Sequence, residues 1–294
     1  MNVFITGITG TLGKRVAELC LRKGYKVHGI TRDEFKLKEL KKEMPELKLY
    51  ICDVTSLTSL DYIISRLNCI DVFYHFAALK HVDLCEKAIF QCLDTNIKAT
   101  KNIATLQAVH GIRKVVFTST DKAVLPINIY GQCKAISEKI ILNSNSDNVV
   151  CRYGNVLNSR GSVFKTFRDQ IFKDNVVTLT DDRMTRFFIT IESAAKFVFS
   201  LSENKGGIHI PWKQMKACQI KDLAIGIRNA MYNEGIVKSG GDPVFKYIGL
   251  RPGEKIHEDM GYMDGKLISS YFYERFTSAE ILGLAKSELN FGLL

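Results

Sequence analysis

Tyr130 and Lys134 stand four residues apart in a stretch of helical character, so one helix face carries both side chains. An ammonium beside a phenol favours the phenolate, and the spacing predicts a Tyr130 whose pKa is lowered toward the range where it accepts a proton from an alcohol. Nine residues earlier, Asp121 and Lys122 are neighbours. Such a dipeptide is either a strand-end ion pair without a task or a charge pair at a reactive centre. A lysine acts as a base near neutral pH only when partly buried or set close to other positive charge.

The second constellation lies at the start of the chain. Gly7-Ile8-Thr9-Gly10-Thr11-Leu12-Gly13 follows the apolar run 3–6, with glycines at intervals of three where a strand turns into a helix. Gly7 allows the tight turn, Gly10 lets the backbone approach a pyrophosphate, and Gly13 permits close helix packing, while the helix start offers N–H groups. Gly7, Thr9, Gly10, Thr11, Leu12 and Gly13 are therefore expected at a dinucleotide. After the second strand come Thr31, Arg32 and Asp33. A guanidinium there pairs with a 2′-phosphate and favours NADP over NAD; in the other reading Arg32 is a surface charge and Asp33 serves the ribose. Asp53 and Val54, ending the third strand, either flank the adenine or open the next helix with Asp53 as its cap.

The elements that must position these residues follow from periodicity. Short runs rich in Val, Ile and Phe at 3–6, 27–30, 47–51, 72–76, 115–119 and 149–152 alternate with helical patterns, which predicts βαβ units and a parallel sheet. Leu12, Val16, Leu19 and Cys20 give the first helix its apolar face, and Gly24 ends it. The expected fold class is α/β, a Rossmann doubly wound parallel sheet with a smaller C-terminal substrate-binding lobe. Residues 1–153 and about 187–212 are assigned to the dinucleotide domain, and about 154–186 and 213–294 to the lobe.

Bulk properties narrow the class without naming a function. The 294 residues are 46% hydrophobic and 24% charged, as in ordinary globular proteins, with a formal charge of +10 that favours anionic partners of any kind. Between Lys36 and Lys48 five lysines alternate with Glu39, Glu43 and Glu46, as on a solvated helix face rather than a binding arm. The eight cysteines form no Cys-x-x-Cys pair, and His257-Glu258 is not followed by a second histidine at zinc-site spacing, so no metal is implied. No run approaches the roughly 18 apolar residues of a membrane span. A cytoplasmic protein without membrane or nucleic-acid partners is expected. Tyr271, Phe272, Tyr273 and Phe276 read as core or subunit interface.

Seven blocks, taken in order, make the pattern specific: 77–82 (Ala-Ala-Leu-Lys-His-Val), 119–123 (Ser-Thr-Asp-Lys-Ala), 126–128 (Pro-Ile-Asn), 152–156 (Arg-Tyr-Gly-Asn-Val), 159–163 (Ser-Arg-Gly-Ser-Val), 183–187 (Arg-Met-Thr-Arg-Phe) and 251–255 (Arg-Pro-Gly-Glu-Lys). Together with Tyr-x-x-x-Lys they resemble the inverting, 5-epimerising UDP-N-acetylglucosamine 4,6-dehydratases, extended short-chain dehydrogenases of polysaccharide biosynthesis, from the first strand to about Glu258. The resemblance implies a tightly bound NADP that removes hydride from carbon 4 and returns it to carbon 6, with Tyr130 taking the hydroxyl proton. Lys122 would remove the carbon 5 proton, and Asp121 would protonate the departing carbon 6 hydroxyl. Retaining relatives resemble the chain but carry Asp-Glu at 121–122. Ala77, Ala78, Lys80, Asn96, Tyr153 and Asn155 join Tyr130 and Lys134 at the cofactor. Lys80, Asn155, Arg160, Thr180, Arg186, Arg251 and Glu254 would meet the UDP-sugar. The helices at 86–110 and 130–142 are those such folds pair into a homo-oligomer. The region 215–246 carries no matching motif, and the competing readings are a 4-epimerase, a retaining dehydratase and a non-catalytic NADP-binding module.

Overall fold

A computed structural model describes residues 1–159, 161–238 and 241–290. The chain runs β1 (Asn2–Thr6), α1 (Thr11–Arg22), β2 (Lys26–Thr31), α2 (Glu34–Glu43), β3 (Lys48–Ile51), α3 (Leu57–Ile64), β4 (Val72–His75), α4 (Val82–Lys87), α5 (Ile89–Leu93), α6 (Ala99–His110), β5 (Lys114–Thr120), α7 (Ile129–Ser144) and β6 (Val149–Tyr153). It continues with β7 (Asn155–Val156), α8 (Val163–Asp174), β8 (Val176–Leu179), β9 (Thr185–Ile189), α9 (Ile191–Ser200) and β10 (Gly207–His209). β11 (Lys216–Gln219), α10 (Ile220–Asn233), β12 (Val244–Tyr247), β13 (Asp259–Met263), β14 (Lys266–Ser269) and α11 (Ser278–Asn290) complete it.

The first compact unit comprises 1–152 and 192–211. Its sheet has the order β10-β6-β5-β4-β1-β2-β3. The pairs β1–β2, β2–β3, β1–β4, β4–β5 and β6–β10 are parallel. Strand order reverses between β1 and β4, and the carboxyl ends of those strands flank the crevice where such sheets bind ligands. β4 and β5 are buried from end to end, as befits strands covered on both faces. The face of α1 differs in detail from the expected one: Gly13, Val16, Ala17 and Cys20 are buried, while Leu12 and Leu19 are half-buried. Gly13, first of these buried residues, sits close on the preceding turn, where a Cβ would meet the Gly7 carbonyl at 2.4 Å. α2 has a single buried residue, Leu40, and its lysines are solvated.

The second unit comprises 153–191 and 212–294. β11, β9 and β7 form a sheet whose β9–β11 pair is antiparallel. Because Thr185–Ile189 is the central strand there, the chain leaves this unit only after Ile191, later than the expected 187. α8, α10 and α11 close a core of Phe164, Phe167, Ile171, Leu223, Ile227 and Ile281, with Phe276 packed against it. Met215, Cys218 and Met231 are buried, so the motif-free stretch from 215 serves packing at least in part.

Candidate active site

The tip of β5 and the start of α7 bring the first constellation together. Thr120 caps a short turn of 3-10 helix, Asp121–Ala123, and Asn128 caps α7 by accepting the Gly131 N–H at 2.7 Å. Asp121 is fully buried. Its Oδ1 accepts from the Thr120 hydroxyl at 2.8 Å, the Lys122 N–H at 2.9 Å and the Lys122 ammonium at 3.1 Å. Its Oδ2 is buried without a hydrogen-bond partner, as is Ser119 Oγ. A buried carboxylate oxygen left open is costly unless a ligand or a proton satisfies it. The Lys122 side chain is 17% exposed, the partial burial that a lysine base requires.

Tyr130 and Lys134 project from one face of α7, both buried. The expected lowering of the Tyr130 pKa is not found. Burial raises it well above the usual phenol value, the Asp121 charge raises it further, and a hydrogen bond with Thr120 only partly offsets them. Lys134 donates to the Thr118 carbonyl at 2.6 Å and lies 4.1 Å over the Phe117 ring, so its charge is spent partly on β5. Burial brings Lys134 down to about 8. Cys85, Cys92 and Cys133 pack around Tyr130 and make its surroundings apolar. In the protein alone, Tyr130 is therefore a phenol that needs additional positive charge to become a base.

The glycine turn has the expected cradle. Gly7 sits at φ +66°, and a Cβ there would meet Ala77 N at 2.9 Å; one on Gly13 would meet the Gly7 carbonyl at 2.4 Å. Gly10 begins α1 without a side-chain cap, and Thr11 and Leu12 open the helix, so its first N–H groups are available to an anion. Behind the turn, Thr6 Oγ1 accepts the N–H groups of Phe76 and Ala77 at 3.1 Å and donates to His75 Nδ1 at 2.8 Å. Thr100 gives its proton to the Asn96 carbonyl at 2.6 Å, so at 3.4 Å it accepts from His75 Nε2. His75 is thereby fixed as the neutral Nε2–H form. Asn96, within the π-helix Asp94–Lys98, clamps Leu79 through both its carboxamide oxygen and nitrogen at 2.9 Å, which sets the course of Ala77, Ala78 and Lys80. Both polar atoms of its side chain are thus engaged within the protein.

Thr9 and Thr31 hydroxyls are 3.1 Å apart. Asp33 caps α2, accepting from Lys36 N at 3.0 Å, and Lys36 also pairs with the carboxylate and holds it below the usual range. Arg32 and Asp53 form an exposed ion pair at 3.6 Å. Asp53 accepts Thr55 N at 2.8 Å, whereas the cap of α3 is Ser56, so the helix-cap alternative for Asp53 does not hold. Asn102 donates to the carbonyl of the buried Val54 at 3.3 Å.

In the second unit, Asn155 is half-buried in β7, paired with Phe188 of β9, next to Tyr153 and Gly154. Thr180 follows β8 and is half-buried, Arg251 is exposed, and Glu254 accepts the Arg251 N–H at 3.1 Å in a tight turn. Arg160 lies outside the described residues. Arg186, expected at the UDP-sugar, has its guanidinium bonded within the protein. It is 7% exposed and donates to the carbonyls of Thr185, Lys255 and Ile256 at 2.7–2.9 Å, with Glu258 at 3.7 Å. Its guanidinium holds the segment bearing Glu254 and Lys255. Of the expected aromatic group, Phe272 is 86% exposed, while Tyr273 donates to the Trp212 carbonyl and stacks edge-on to Phe187.

Sequence reasoning gave Ser119 and Thr120 no role, although they immediately precede Asp121 and Lys122 at the strand tip, and it passed over Gly131. Lys80 is exposed beyond β4 in the first unit.

Comparison with known proteins gives the family. The model described as "Polysaccharide biosynthesis protein" matches residues 3–280. A Methanocaldococcus jannaschii protein named as an uncharacterized membrane protein is 34% identical over 88% of this chain and 80% of its own length. The inverting UDP-N-acetylglucosamine 4,6-dehydratase of Campylobacter jejuni is 33% identical over 94% of this chain and 81% of its own. A UDP-glucose 4-epimerase of Rickettsia rickettsii is 32% identical over 88% and 77%. The X-ray structure of Pen from Bacillus thuringiensis superposes with a TM-score of 0.87 at 28% identity, covering 98% of this chain and 97% of that one.

Proposed function

The chain belongs to the polysaccharide biosynthesis protein family, of extended short-chain dehydrogenase type, and on that footing we propose that it is an inverting UDP-N-acetylglucosamine 4,6-dehydratase. The single observation that carries this reading is the buried Asp121 carboxylate with its ion-paired Lys122 and an unpartnered Oδ2.

The cradle of Gly7, Gly10 and Gly13 fits a dinucleotide pyrophosphate, with Thr9, Thr31, Val54, Ala77 and Ala78 around it and Arg32 or Asp53 at the adenosine ribose. When bound, that dinucleotide supplies a hydride acceptor and donor and, in its oxidised form, the positive charge that Tyr130 needs. We take it to be NADP: Asp33 is engaged as a helix cap, which leaves Arg32 as the group at this end with the charge for a 2′-phosphate.

Tyr130 accepts the proton of the carbon 4 hydroxyl, with Lys134 holding a compensating charge nearby. We assign Ser119, whose buried Oγ has no hydrogen-bond partner, to the same sugar edge. Asp121 and Lys122 need only one proton movement to be ready: transfer across their 3.1 Å contact converts carboxylate and ammonium into carboxylic acid and amine. The amine takes the acidified carbon 5 proton, and the acid protonates the hydroxyl leaving carbon 6. Once carbon 6 has regained the hydride that the dinucleotide would supply, a solvent-derived proton delivered to the opposite face of carbon 5 completes the 6-deoxy ketone and inverts that centre. Arg251, Glu254, Thr180 and Asn155 serve the nucleotide portion, with Arg186 supporting them.

The product is a UDP-2-acetamido-2,6-dideoxy-4-keto-hexose for surface glycans. Among the described residues no helix is long and apolar enough to cross a membrane. Exposed Leu84, Ile89, Phe90, Leu93 and Ile136 on α4, α5 and α7 support a homo-oligomer. The test is incubation of the purified protein with UDP-N-acetylglucosamine and no added cofactor. Mass spectrometry is expected to show a product lighter by one water; unchanged mass with an axial carbon 4 hydroxyl would instead favour the 4-epimerase activity named for the Rickettsia relative.

A further inference from the structure

We propose, resting on the reading of Tyr130 as proton acceptor, that Glu138 and Arg152 are positioning residues that keep the ammonium of Lys134 charged while leaving it free of a direct carboxylate contact. Glu138 follows Lys134 by four residues on α7, so the two share a face, and both are 4% exposed. Arg152 on β6 grips Glu138 at two points, Nε to Oε1 at 2.7 Å and Nη2 to Oε2 at 2.5 Å. This fork fixes the carboxylate toward β6, and the Lys134 amine turns instead to the Thr118 carbonyl.

The surroundings of Lys134 give Glu138 its weight. α7 contributes Tyr130, Cys133 and Glu138, and α5 contributes Cys92. β5 presents the neutral Phe117 ring and Thr118 carbonyl. β4 presents His75, which burial keeps neutral, and β6 presents Arg152 behind Glu138. Burial pushes Cys133 up to about 12. Glu138 is the carboxylate in this set, and its charge opposes the desolvation that draws Lys134 down to about 8. Arg152 moderates that charge and prevents a Lys134–Glu138 ion pair from forming.

Lysine labelled with carbon-13 beside the amine, with the Lys134 resonance assigned through Lys134→Arg, reads the titration directly in the folded protein. Glu138→Gln is expected to move it down by about one pH unit, Glu138→Asp to restore most of the difference, and Arg152→Gln to move it up. The alkaline limb of the turnover profile is expected to follow the first two changes. An unmoved Lys134 titration in Glu138→Gln, with turnover reduced equally at every pH, would overturn the proposal. The resonance needs no turnover, so absence of dehydration in the parent protein would remove the assigned reaction while the titration still decides the role of the pair. Should Arg152→Gln fail to fold, the near-isosteric Glu138→Gln and its Asp counterpart decide alone.

Discussion

The main-chain carbonyl of Lys122 occupies the space that a side chain at Gly131 would need: a Cβ on Gly131 would meet that oxygen at 2.1 Å. α7 therefore rides directly on the Asp121–Ala123 turn, and the register of Tyr130 against Asp121 and Lys122 rests on this approach. Gly131→Ala must shift one backbone against the other. It is expected to destabilise the protein by about 2 kcal/mol, by overpacking, and to reduce turnover more than tenfold at temperatures where it remains folded. Thermal melting and steady-state kinetics on the same preparation check this; wild-type turnover would show that the register is unimportant.

Asp121 and Lys122 should be separable by what each variant still does. Lys122→Met is expected to lose carbon 5 exchange with solvent and water loss together. Asp121→Asn is expected to keep some exchange while losing water loss by about a hundredfold or more. Proton NMR of the sugar in heavy water follows both. Dehydration at the parental rate in either variant would exclude that residue.

His75 makes stability sensitive to acid. Burial lowers its folded pKa from 6.5 to about 3, so between those values the unfolded chain binds a proton that the folded chain refuses. Stability from this group is fully present above about 6.5 and falls with acid by up to about 1.4 kcal/mol per pH unit. Denaturant unfolding from pH 7 to 4 is expected to show this slope, and His75→Gln to flatten it. Equal slopes in both proteins would place the acid sensitivity elsewhere.

Arg32 tests the dinucleotide. Arg32→Ala is expected to weaken NADP binding by about tenfold or more and NAD binding little, because a charge-assisted hydrogen bond contributes roughly 1.5–3 kcal/mol. Calorimetry after cofactor removal measures both. Equal losses for the two dinucleotides would assign Arg32 to supporting Asp53 at the ribose.

What could be read from the chain was what local pattern encodes. The strands of the first unit were legible because apolar runs such as Val72–His75 are buried on both faces, and the glycine turn because its spacing matches its sterics. The direction of a charged side chain was not legible. Nothing in Arg183-Met184-Thr185-Arg186-Phe187 distinguishes a guanidinium aimed at a phosphate from one aimed at the Lys255 and Ile256 carbonyls. The high Tyr130 pKa was hidden for a similar reason, since the burial that raises it, and then the Asp121 charge, come from separate segments of the chain. Helix capping by Ser56 rather than Asp53 depended on where α3 begins, a boundary that periodicity leaves loose.

The most direct measurement follows carbon 5 of UDP-N-acetylglucosamine by NMR while the purified protein turns it over in heavy water. The account predicts a 4-keto, 6-deoxy product with deuterium on a carbon 5 of inverted configuration. A product with retained carbon 5 configuration, or an intact sugar still carrying protium there, would contradict it.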